Sequence, residues 1–147
     1  AIYSQNLNYY RILKQNIDEQ IANQFLNVQI DLCDRNRINE NIGNIRKVYD
    51  ALMKQCLTFW PELMKLVDEK GRSTSLGWQW VNALQEADKI NSIQYSFFMS
   101  IWKIGSNFGS HKVPEQESIY LPSLDTVHSL SYALKDAILW FEHVRPR

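Results

Sequence analysis

Asn107 and His111 are the residues of this chain best placed to do chemistry. They belong to Trp102-Lys103-Ile104-Gly105-Ser106-Asn107-Phe108-Gly109-Ser110-His111, where an amide, two glycines and an imidazole crowd into one polar turn after an apolar helical stretch. A helix ordinarily stops on a single glycine or asparagine, so the cluster asks for a second explanation, and a site supplies it. An imidazole takes up and releases protons near neutral pH, and Lys103 and Lys112 bring positive charge beside it. A plainer reading stands alongside: Gly105 terminates a helix, Asn107 forms a turn, and His111 is a surface or satisfied histidine.

Other reactive groups are less suggestive. Asp18 and Glu19, like Asp68 and Glu69, are adjacent rather than one helical turn apart, so neither pair makes a metal site, and no cofactor is expected. Cys33 and Cys56 lack metal-ligand spacing and are too few for a disulfide scaffold; they read as buried thiols of a reducing compartment. His128 and His143 fall on the last helix without an evident partner and are read as structural. Arg46 and Asp50, at i and i+4, form an ordinary helix ion pair worth ~0.3–0.5 kcal/mol if exposed. Buried beneath the turn, they would orient Asn107 or His111. Five tryptophans, at 60, 78, 80, 102 and 140, could cage a ligand or stack on bases, but most lie beside apolar stripes and are assigned to the core.

The elements that must position these residues are helical. Between Ala1 and Lys70 only Pro61 and Gly43 interrupt helix-forming sequence. Ile2, Leu7, Tyr10, Leu13, Ile17, Ile21, Phe25 and Val28 recur at helical spacing, which predicts a first helix from about Gln5 to Asp31, with a break allowed. The polar run Asp34 to Asn41 reads as a connection or a fraying end and sets an N-terminal arm, residues 1–39, apart from a bundle over 40–147. Ile42 to Leu57 carry the next stripe, and Pro61 opens a short helix to Glu69. Ser73, Thr74 and Ser75 offer caps for a helix bearing Leu76, Trp80 and Leu84. Asn91 or Ser92 caps another, with Ile93, Phe97, Ile101 and Ile104 as its stripe. Leu124, Val127, Leu130, Leu134, Ile138 and Phe141 mark the last. The expectation is an all-α, antiparallel four- to five-helix bundle with an extra N-terminal helix.

Bulk properties bound the function. The 147 residues suit one domain. Sixteen basic and sixteen acidic side chains cancel, so any RNA contact must be local rather than a whole-molecule field effect. No apolar run approaches the ~18 residues needed to span a bilayer, and the N-terminus is too polar for a secretory signal, so a cytoplasmic protein without a membrane is expected.

From Asn44 onward the order of signals resembles the HEPN superfamily, helical domains widespread in prokaryotic defence, toxin and restriction systems. Asn44 to Leu52 resembles its early helix, in which an arginine (Arg46) precedes an acidic residue (Asp50) by four. Leu76 to Leu84 resembles the short helix before the motif helix, Asp88-Lys89-Ile90 its link, and Asn107 to His111 its Asn-x-x-x-His signature. The resemblance covers about Asn39 to His143. It implies a bundle that often dimerises, with the motifs of two subunits facing one cleft, and in active members a metal-independent endoribonuclease. There the imidazole moves the proton of a ribose 2′-OH or of the leaving oxygen, and an arginine four to six residues upstream steadies the phosphoryl oxygens. Here Ser106 stands at the arginine's place and Lys103 is the nearest upstream cation. The resemblance thus implies a defence- or toxin-antitoxin-associated domain acting on or binding RNA or a nucleotide. His111, Asn107 and Lys103 would be catalytic, Lys112 and Ser106 would bind substrate, and Arg46 and Asp50 would support them. A homodimer and a protein partner from the same operon are implied with it. The alternative is a non-catalytic dimerisation or interaction module of a larger defence or restriction complex.

Overall fold

Ile17 and Asp18 split the N-terminal stripe into two helices, α1 (Leu7–Asn16) and α2 (Glu19–Ile30). The computed structural model describes residues 5–63, 77–110 and 121–147. Ile17 leaves helical geometry at φ −122°, ψ −90°, and the Asp18 carboxylate then accepts the Ile21 amide at 2.8 Å, an N-cap that restarts the helix. The chain folds back here, bringing the rings of Tyr9 and Phe25 to 5.8 Å.

The polar run beyond α2 is only partly a connection. Asp34 caps a 3₁₀ turn over Arg35–Arg37, and α3 (Ile38–Cys56) begins immediately after it. Asn41 is buried and donates to the Asp31 carbonyl at 3.1 Å, which ties the start of α3 to the end of α2. Helix α3 runs through the middle of the fold and buries Ile42, Ile45, Val48, Tyr49, Leu52 and Cys56 completely. Residues 61–63 are helical, as Pro61 predicts. The rest of the expected Pro61–Glu69 helix, and the Ser73–Ser75 caps, lie outside the described residues.

Helix α4 (Trp78–Glu86) ends in a Schellman motif: the Lys89 amide donates to Leu84 O at 2.8 Å and the Asp88 amide to Gln85 O at 3.0 Å. Asp88 occupies the left-handed position at φ 58°. Asn91 then caps α5 (Ser92–Ile104) through a reciprocal capping box with Gln94, and Ser123 caps α6 (Leu124–Val144) in the same way with Thr126. Both of these helices, together with α2, pack against α3. Helices α5 and α6 are antiparallel. The Trp140 indole donates to Lys89 O ahead of α5 at 2.9 Å, and at the other end Ile104 shares a groove with Ser123 and Thr126. Ile101 and Leu134 are wholly buried between them. The N-terminal pair shares this core: Leu13, Phe25 and Val28 join one apolar cluster with α3 and α6, and buried Gln29 donates to Ser131 of α6 at 2.9 Å.

Three expectations are corrected. Ile93 is 63% exposed and Phe97 is exposed too; the face that α5 buries is Phe98 and Ile101. Its only charged residue is Lys103, so spacing alone does not single out one apolar stripe. Cys33 is exposed, with Sγ 4.0 Å from His128 Nε2, which also gives His128 a partner. Cys56 is buried as expected, and burial pushes its thiol pKa up. The tryptophans mostly pack as expected: Trp80 and Trp140 are buried and Trp60 and Trp102 lie partly buried against the core, while Trp78 is 40% exposed. No helix among the described residues is long and apolar enough to cross a membrane.

Candidate functional site

Arg46 is the residue around which the site assembles. It projects from α3 with its side chain 15% exposed, and Nε donates to Asp50 one turn on at 2.8 Å. Nη1 donates to the Trp102 carbonyl of α5 at 2.8 Å and to Ser106 Oγ. The guanidinium also lies over the Trp102 ring, 5.6 Å from its centroid. This is more than a surface i,i+4 pair, because the same cation satisfies a carbonyl near the end of α5 and grips the segment beyond it.

That segment departs from the expected turn. Gly105 keeps right-handed helical geometry at φ −61°, ψ −38°, so it does not terminate the helix. The chain continues as a π-helical turn over Gly105–Ser110, a widened form that recurs at functional sites. The glycine is needed for close approach: a Cβ there would lie 2.7 Å from Arg46 Cβ and 3.0 Å from Cγ. Phe108 is buried and joins the core, fixing the turn from the inside.

A second glycine does the same for the indole. A Cβ on Gly77 would lie 2.7–2.8 Å from three atoms of the Trp102 ring, so the backbone entering α4 lies against the indole. Gly77, Trp102 and Arg46 therefore bring together three segments that are remote in sequence. Sequence patterns do not single out the glycine at 77 or the tryptophan at 102 as site residues. Leu-Gly-Trp immediately before a helix is the only signal that points to the first, since a glycine at a helix entry can mark a close backbone contact.

Of the residues expected in the site, Arg46, Asp50 and Ser106 are brought into direct contact. Asn107 is half-buried on the same turn, and Lys103 is exposed near the end of α5. His111 and Lys112 lie outside the described residues. These hydrogen bonds of Arg46 use Nε and Nη1, and the N–H groups on Nη2 have no acceptor among the described residues. Tyr49, beside Asp50, is fully buried, and burial pushes its phenol above the usual tyrosine range, which keeps it protonated. Among the described residues no three His, Cys, Asp or Glu side chains gather to hold a metal ion. No family model matches the chain, and neither does any curated protein or solved structure.

Proposed function

We propose that the chain is a HEPN-like helical domain that acts on or binds RNA or a nucleotide at the Gly105–Ser110 turn and the His111-Lys112 sequence after it. The observation that supports this reading is the contact of Arg46 with Ser106. The family places an arginine at the Ser106 position, and here α3 delivers a guanidinium to that residue from sixty positions away in sequence. The planar fork suits phosphoryl oxygens in a way that Lys103, a point charge, does not. In this reading Arg46 takes the arginine's part through Nη2, Asp50 orients it, and Ser106 and Asn107 offer polar contacts. His111 moves the proton of the 2′-OH, and Lys103 and Lys112 add charge. Activity is weak, because Arg46 is already committed to three acceptors.

Purified protein is then expected to cut single-stranded RNA without added metal and to leave 2′,3′-cyclic phosphate ends. His111→Ala should lower the rate by ~10²–10⁴ with little change in thermal unfolding, and Ser106→Arg should raise it. If all three proteins are equally inert on a broad RNA panel, the ribonuclease reading is abandoned. A specific observation favours the alternative of a non-catalytic interaction module. Helix α5 carries a single charge and leaves Ile93 and Phe97 exposed, a surface poor in charge as interface cores are. That reading, and the homodimer and operon partner that accompany it, predicts dimers by light scattering that Phe97→Asp dissociates; a monomer unaffected by the change counts against it.

A further inference from the structure

Helix α1 has no acidic residue, and its only charged side chains, Arg11 and Lys14, are exposed. It packs on α6, whose C-terminal end supplies His143, Arg145 and Arg147 after a single acid, Glu142. Between them runs a polar cleft of about 530 Å³, with Asn8, Arg11 and Gln15 on one side and Glu142, His143 and Arg147 on the other. That volume accommodates a nucleotide-sized ligand.

The single charge of Glu142 is shared between two arginines, Arg145 and Arg147. Arg145 takes its carboxylate in a fork, Nε to Oε2 at 2.7 Å and Nη2 to Oε1 at 3.0 Å, and these bonds hold the Glu142 pKa below the ordinary carboxylate value. Arg147 lies 3.6 Å from the same carboxylate and donates to the Glu142 carbonyl at 3.0 Å, which lays its side chain along the cleft. The Arg11 side chain makes no hydrogen bond or ion pair among the described residues. Arginines thus outnumber carboxylates in the lining of this cleft, in a molecule whose net charge is zero. On the far side of Arg11 a second hollow, about 470 Å³, is lined by Leu7, Tyr10 and Lys14, so a ring and an apolar side chain stand next to the guanidinium.

We propose that this cleft binds the phosphate of a nucleotide. Arg11 and Arg147 hold the phosphate oxygens, and the Asn8 and Gln15 amides add neutral donors. The cleft lies at the opposite end of α6 from the Ser106 turn, ~30 Å away for a helix of this length. It therefore stands or falls independently of the reading given to that turn. The shared chemistry is a phosphate carried by a nucleotide, either free or within an RNA strand.

Calorimetric titration of the full chain with inorganic phosphate, adenosine monophosphate and a six-nucleotide single-stranded RNA separates these sources. Saturable binding of the mononucleotide is expected, weaker for phosphate alone and falling with salt. Arg11→Glu should weaken it by about tenfold or more, while Lys54→Glu, a charge reversal on α3 outside the cleft, should leave it unchanged. Binding of the RNA alone, still sensitive to Arg11→Glu, makes the phosphodiester the ligand. No saturable binding of any probe, or binding that a folded Arg11→Glu protein retains in full, overturns the proposal.

Discussion

A methyl group at Gly105 would meet Arg46 at its Cβ, which the α3 backbone fixes and no rotamer can move aside. Gly105→Ala is therefore expected to destabilise the fold by ~1–3 kcal/mol through overpacking, read as a shift in the urea midpoint. An unchanged midpoint would refute the close approach as the reason for this glycine. Asp88 makes the opposite case. It holds φ 58°, a region that costs an ordinary L-residue ~1–2 kcal/mol and aspartate somewhat less. Asp88→Gly should accordingly raise stability by up to ~1 kcal/mol, and a loss of stability would mean that the aspartate carboxylate contributes more than its backbone costs. Both positions show what residue-level reading can miss. Gly105 comes after an apolar helix and so looks like a stop signal, yet its partner is an arginine 59 positions earlier. Asp88 stands where glycine would be the usual marker of a helix end.

At the scale of elements, the link between the N-terminal hairpin and the bundle includes one buried polar pair. Gln29 is 5% and Ser131 2% exposed, and they bond to each other across α2 and α6. Ser131→Ala should cost ~1–3 kcal/mol, because the glutamine amide is left buried without that partner. Replacing both, as Gln29→Leu with Ser131→Ala, should recover part of the loss; a double variant as unstable as the sum of the singles would contradict this. Where an apolar stripe is bordered by polar residues, as in α3 and α6, sequence periodicity names the buried face correctly. It is half right in α5, whose composition is apolar on nearly every side: Ile101 is buried and Ile104 packs on the core, but Phe98 rather than Phe97 faces inward. The start of α5 is legible at Asn91, a residue type whose side chain caps a helix. The π-helical turn is not legible, since its geometry depends on the docking of Phe108 and the grip of Arg46.

For the whole molecule, the all-helical architecture and the antiparallel pairing of α5 with α6 can be read from the chain, and part of the candidate site can as well. Ser106 and Asn107 stand together on one turn because they are neighbours in sequence. Arg46, bonded to Asp50 on its own helix, reaches it only because α3 packs against α5 and the turn beyond it, which no local pattern announces. The proposed role of this arginine-braced turn is to meet RNA or a nucleotide. Titration of isotope-labelled protein with single-stranded RNA, tracked through the backbone amides of Gly105, Ser106 and Asn107 and the Trp102 indole N–H, addresses that role at the turn itself. Saturable shifts at these groups, lost in an Arg46→Lys protein that remains folded, are predicted. Resonances of the turn that stay fixed while RNA saturates elsewhere, or that move identically without the guanidinium, would contradict it.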